Sequence, residues 1–113
     1  MKKKLKNFTT IFLETADEFV KTLDKKSQKK LFQNIRLAES TNNPKFFKKL
    51  NSDIWEFRVR FSNQQIRLLA FWDKSEKENT LVIATNGFVK KTQKTPQKEI
   101  AKAEQIRKQY LEI

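Results

Sequence analysis

The sequence predicts a compact α+β fold in which two N-terminal helices pack on a small antiparallel sheet and one further helix closes the chain. Three patterns carry that expectation. A strictly alternating run, IWEFRVRF, spans Ile54 to Phe61; it sets Trp55, Phe57, Val59 and Phe61 on one face and Glu56, Arg58 and Arg60 on the other. Two stretches before it carry apolar residues at helical spacing. After it, Thr95 and Pro96, followed by Glu99, have the chemistry of a helix start.

From the N-terminus, Leu5 to Leu13 has the composition of a short strand. Thr15 to Leu23 places Ala16, Phe19, Val20 and Leu23 on one helical face. A link from Asp24 to Lys26 leads to a second helix, from Ser27 as N-cap to about Glu39, with Leu31, Ile35 and Ala38 inward. Ile54 to Phe61 then opens an antiparallel meander. Ser62 to Gln64 is its first turn, and Gln65 to Trp72 (QIRLLAFW) is its second strand, with Arg67 facing away from Ile66, Leu68, Ala70 and Trp72. The polar segment Asp73 to Asn79 is a loop, and Thr80 to Phe88 is the third strand. Gly87, the only glycine, is expected at a bend or a close approach. The last helix runs from Thr95, its N-cap, to about Leu111, with Ile100, Ala103, Ile106 and Tyr110 along one stripe.

At 113 residues the chain supports one core, so a single domain over residues 1–113 is expected. Ten Phe and two Trp are more aromatics than disordered segments carry. With 25 Lys and Arg against 13 Asp and Glu, the net charge of +12 is the electrostatic footprint of a nucleic-acid partner, although an anionic membrane or an acidic protein would suit the number equally. Most of the lysines, among them Lys25, Lys26, Lys29, Lys30, Lys45, Lys48 and Lys49, read as a diffuse field that speeds encounter with a polyanion. The absence of Cys and His excludes disulfides, zinc sites of Cys or His type and histidine acid–base chemistry. No apolar run nears the roughly 20 residues of a membrane span, and MKKKLKNF soon meets Glu14, Asp17 and Glu18, so a cytoplasmic protein with no membrane partner is expected.

Two groups of residues carry candidate chemistry. Arg58 and Arg60 project from one strand face, and Arg67 reaches it if the hairpin register allows; guanidinium forks match phosphate oxygens. The same pattern also suits a solvated strand in which Glu56 pairs with an arginine. The segment FVKKTQKTP, from Phe88 to Pro96, packs Lys90, Lys91, Gln93, Lys94 and Thr95 between a strand and a helix start, where free backbone N–H groups favour an anion. Phe88 offers an aromatic surface for an unstacked base. A solvated lysine loop would have the same charge.

The runs KLNSDIWEFRVRF, QIRLLAFW and GFVKKTQKTPQKEIAKAEQIRKQYL together resemble the RelE/HigB-type toxins of bacterial type II toxin–antitoxin modules, in their phage-derived HigB-like subgroup, over residues 14–112. The resemblance implies a RelE-like fold and a ribosome-dependent mRNA endoribonuclease. Its partners would be mRNA in the ribosomal A site and a cognate helix-turn-helix, HigA-like antitoxin. The family's basic active-site positions fall on Arg58, Arg60, Arg67 and the group around Lys90, Lys91 and Lys94. Some relatives use histidines or a tyrosine that this chain lacks there.

A mechanism fitting this inventory needs neither cofactor nor metal, since no carboxylate cluster suggests a two-metal site. A ribose 2′-OH attacks the adjacent phosphate. Glu56 or a lysine of lowered pKa takes its proton, Arg60 and Arg67 stabilise the phosphorane, and Lys91 or Lys94 protonates the leaving oxygen. Arg58, Phe88, Lys90, Gln93 and Thr95 would contact RNA. The rival expectations are a ParE-like inhibitor of DNA gyrase and a non-catalytic nucleic-acid-binding protein.

Overall fold

The computed structural model describes residues 6–41, 43–75, 80–91 and 94–113. Strand β1 (Thr9–Phe12) leads into helices α1 (Glu14–Thr22) and α2 (Lys25–Thr41), then strands β2 (Phe47–Lys49), β3 (Trp55–Phe61), β4 (Gln64–Asp73) and β5 (Leu81–Lys90), and helix α3 (Gln97–Leu111). The five strands form one sheet in the order β1-β5-β4-β3-β2. The fold class is therefore α+β, as the sequence predicts, with three helices on a central sheet.

The sheet departs from a purely antiparallel meander at both edges. β1 joins β5 in parallel, with Ile11 opposite Ile83, and β2 adds three residues against β3 that sequence periodicity does not reveal. A three-residue strand is too short to show alternation. The outer edge of β1 is partly closed by the buried Glu39, whose carboxylate accepts the Thr10 N–H at 2.9 Å.

The helix starts also differ from expectation, for identifiable reasons. Asp24 caps α2: its carboxylate accepts the Ser27 N–H at 2.7 Å, and Ser27 lies buried inside the first turn. In α3 the cap position falls on Pro96, whose ring has no acceptor to offer, and the Thr95 hydroxyl is turned to Glu56. The β3–β4 turn is the tight pair Ser62–Asn63, with φ of 55° and 63°, and Gln64 already belongs to β4. Two consecutive residues of positive φ match the right-handed twist of the flanking strands.

Both faces of the sheet are covered. On one face Phe57, Val59, Ile66, Leu68, Ala70, Val82 and Ala84 pack against Ala16 and Val20 of α1 and Leu31, Ile35 and Ala38 of α2. On the other, Ile54, Leu69, Phe71 and Ile83 pack against Ala103 of α3, with Ile100 and Leu111 alongside. The second face explains the almost continuous burial of β4 from Ile66 to Phe71. Asn86 pins α3 there by donating to the Glu99 carbonyl and carboxylate, each at 3.2 Å. Gly87 is required by close approach: a Cβ there would lie 2.2 Å from the Phe19 ring of α1.

Candidate functional site

Three successive rungs of the sheet, on the face that α3 shares, gather the candidate cations. Lys48, Glu56 and Leu69 form the first, Arg58, Arg67 and Phe88 the second, and Arg60, Gln65 and Lys90 the third. Residues paired across a ladder point to the same side, with Cβ atoms roughly 5 Å apart. The two-residue turn fixes this register, and a slip by one residue would turn Arg67 to the opposite face.

α3 covers only part of this face, so the rungs grade from closed to open. Glu56 is only 2% exposed, Arg67 4%, while Arg60 is exposed. The Glu56 carboxylate lies 3.6 Å from Nε of Arg58 and 3.6 Å from Nε of Arg67. Thr95, at the foot of α3, donates its hydroxyl to Glu56 Oε1 at 2.5 Å. Glu56 is thus the strut between two guanidiniums and the start of α3. An isolated buried carboxylate would be strongly unfavourable.

Arg67 is fixed by neutral partners as well. One terminal nitrogen donates to Gln65 Oε1 at 2.9 Å and the other to the Ile66 carbonyl at 3.1 Å. Burial lowers its pKa, the Glu56 carboxylate opposes that, and Arg58 and Arg60 add to it. A guanidinium stays charged regardless. Lys90 is shifted in the same direction, first by partial burial and then by Arg67, with Glu56 opposing and Arg58 and Lys48 reinforcing. Lysine is the residue type in which such a shift matters chemically, because its neutral amine is a proton acceptor.

The structure brings together Glu56, Arg58, Arg60, Arg67 and Lys90, and links Thr95 to them through Glu56. Phe88 shares the Arg67 rung, and its partly buried ring packs against the apolar cluster under α3. Lys91 lies exposed just past β5, and Lys94 is exposed one residue before Thr95. Gln93 lies outside the described residues, as do 76–79 of the expected Asp73–Asn79 loop. Among the described residues, no group of three or more Asp and Glu side chains is placed to hold a metal ion.

Sequence reasoning missed the flank of the site. Lys48, counted with the diffuse field, stands opposite Glu56 because β2 pairs there. β2 covers β3 only as far as Phe57, and past that point a cleft of about 630 Å³ opens beside Arg58, Arg60 and Arg67. Lys30 and Asn34 of α2 line it too, with Lys45 and Phe46. Asn34 donates Nδ2 to the Arg58 carbonyl at 3.1 Å, while its Oδ1 is buried with no hydrogen-bond partner. No sequence signal marks Asn34, one of several amides in an ordinary helical pattern. A second cleft, of about 600 Å³, lies at the other end of β3 between Trp55, Trp72 and Arg107, and none of the candidate residues lines it.

Residues 18–108 match the model of the family described as Phage derived protein Gp49-like (DUF891). The match takes in α2, the whole β2–β5 region and nearly all of α3, and so every candidate residue. No curated protein matches the chain significantly. No helix among the described residues is long and apolar enough to cross a membrane.

Proposed function

The chain belongs to the phage-derived Gp49-like family, which is associated with the toxins of toxin–antitoxin modules, and on that premise we propose that it is a metal-independent endoribonuclease acting on translated mRNA. The observation that carries this reading is the Arg58–Arg67 rung, held against buried Glu56 and flanked by a lysine whose pKa is lowered. Several forked donors and an amine of lowered pKa on a rigid sheet face suit a phosphodiester.

In this mechanism the 2′-oxygen of a ribose attacks the adjacent phosphorus. The O2′–P bond forms, the P–O5′ bond breaks, and the products carry a 2′,3′-cyclic phosphate and a 5′-hydroxyl. Lys90 takes the 2′ proton, in place of Glu56, whose oxygens are already engaged by Thr95 and two guanidiniums. Arg60 and Arg67 stabilise the charge on the phosphorane, with Arg58 beside them. Lys94, next to Thr95, or Lys91 gives a proton to the leaving oxygen. Glu56 acts as a positioning residue.

A +12 chain of a toxin family is expected to meet an antitoxin with an acidic surface, and a helix-turn-helix, HigA-like partner fits that expectation. The cytoplasm, where mRNA is translated in the A site, is the compartment this reading requires. The deciding experiment is to induce the protein and map transcript 5′ ends with and without ongoing translation. Cleavage only in translated transcripts supports the reading; cleavage of naked RNA removes the ribosome from it. Growth arrest without any cleavage overturns it in favour of a gyrase-directed or purely binding protein.

A further inference from the structure

We propose that the cleft beside the arginine rung is a base-recognition subsite, in which Phe46 stacks a nucleotide base and Asn34 Oδ1 accepts a hydrogen bond from that base's exocyclic amino group. The inference rests on the reading of the chain as an RNA-cleaving toxin and deepens it, by assigning a residue that selects sequence.

Three observations converge on it. The cleft, about 630 Å³, has room for a nucleotide, and one wall is made by the same Arg58, Arg60 and Arg67 that would hold the phosphate. Phosphate contacts alone position a chain without reading its sequence. Other lining residues supply what they lack. Phe46 is half-buried and lines the cleft, and the Lys45 ammonium stands 5.8 Å from its ring centroid. Lys45 is exposed and long, so it can swing to a phosphate when a base arrives.

The orientation of Asn34 is set by chemistry. The Arg58 carbonyl can only accept, so Nδ2 must face it, and Oδ1 is left as an acceptor without a donor in a residue only 5% exposed. A buried acceptor without a donor is unfavourable, and a ligand that delivers one relieves that cost. Oδ1 is closed to water in the free chain, so entry of the base has to move side chains that line the cleft. Adenine, cytosine and guanine each carry an exocyclic amine, whereas uracil carries none.

The test uses uncleavable 2′-O-methyl hexanucleotides and fluorescence anisotropy at fixed ionic strength. Adenine is compared with purine, cytosine with pyrimidin-2-one and guanine with hypoxanthine, each pair differing by one amino group. The wild-type protein should bind at least one amine-bearing probe about fivefold to tenfold more tightly than its partner, the factor expected for one hydrogen bond. Asn34→Ala should erase that ratio. Phe46→Leu should weaken both members of the pair by about tenfold while keeping the ratio. Equal affinity within all three pairs for the wild-type protein overturns the inference whatever the variants do, and so does a preference that survives in folded Asn34→Ala. Transcript cleavage that depends on Arg67 but shows no amine preference removes the base subsite alone. Absence of both cleavage and probe binding removes the nuclease reading beneath it.

Discussion

Arg58 and Arg67 stand directly opposite one another on the β3–β4 ladder, although like charges at that spacing repel. The pair persists because Glu56, one rung away, lies 3.6 Å from both. A sheet optimised for stability alone would do better with apolar residues here, since well-packed hydrophobic replacements of buried charges are often neutral or stabilising. Retaining two guanidiniums at the mouth of a cleft is what an anion-binding face requires, at some expense to the fold.

Arg67→Ala should lower transcript cleavage about 100-fold or more, the usual effect of deleting a preorganised charge stabiliser. Arg67→Lys should recover little, because an ammonium cannot meet Gln65, the Ile66 carbonyl and a phosphate with the fixed fork that a guanidinium presents. Growth after induction and 5′-end mapping report both variants. Wild-type cleavage by a folded Arg67→Ala protein would remove Arg67 from the mechanism.

Glu56→Ala should destabilise the protein by about 3 kcal/mol or more, since it leaves the buried Arg67 without its carboxylate. Glu56→Gln keeps an acceptor for the Thr95 hydroxyl and should lose less. Urea unfolding at neutral pH measures both. A loss below about 1 kcal/mol for Glu56→Ala would mean that the guanidiniums do not need the strut.

Much of this arrangement could be read from the sequence, and the parts that could not share a physical cause. Alternation in IWEFRVRF fixed which side chains share a face, and the Ser62–Asn63 turn between two patterned strands made the Arg58–Arg67 pairing an open possibility that the structure realises. The burial of Glu56 and Arg67 was not legible, because it comes from α3 crossing the second face of the sheet, a long-range packing event with no local signature. The same holds for β2, whose three residues bring Lys48 to the site, and for Asn34, whose role depends on the open edge of β3. Strictly local chemistry marks Thr95 as a helix cap, whereas a tertiary partner 39 residues away takes its hydroxyl.

Gly87→Ala should cost about 1–3 kcal/mol, through overpacking and not through backbone strain. Its Cβ would sit 2.2 Å from Phe19 Cδ2, and Gly87 has no positive φ that only glycine would tolerate. Phe19→Leu in the same chain should restore much of the lost Tm by making room. If the double variant were no more stable than Gly87→Ala alone, the contact with Phe19 would not explain the glycine.

Lys90 should give cleavage a distinctive pH dependence. A lysine serves as a base only when neutral, and burial together with Arg67, Arg58 and Lys48 lowers the Lys90 pKa from its ordinary 10.5. The rate should therefore climb with pH, with the midpoint of the rising limb below the ordinary 10.5. The sign for stability follows from the same shift. In the window between the folded and unfolded pKa values the unfolded chain binds more protons, so Lys90's contribution to stability rises with pH there. Lys90→Arg keeps the charge but has no accessible neutral form, so it should cleave far more slowly, with the rising limb gone, while still binding RNA. Lys90→Met should remove the same limb and weaken RNA binding by the loss of one phosphate contact, seen as a salt slope smaller by about 1. A rising limb that survives in Lys90→Arg would assign the proton acceptor to another group, and Glu56 or Lys94 would then be next to examine.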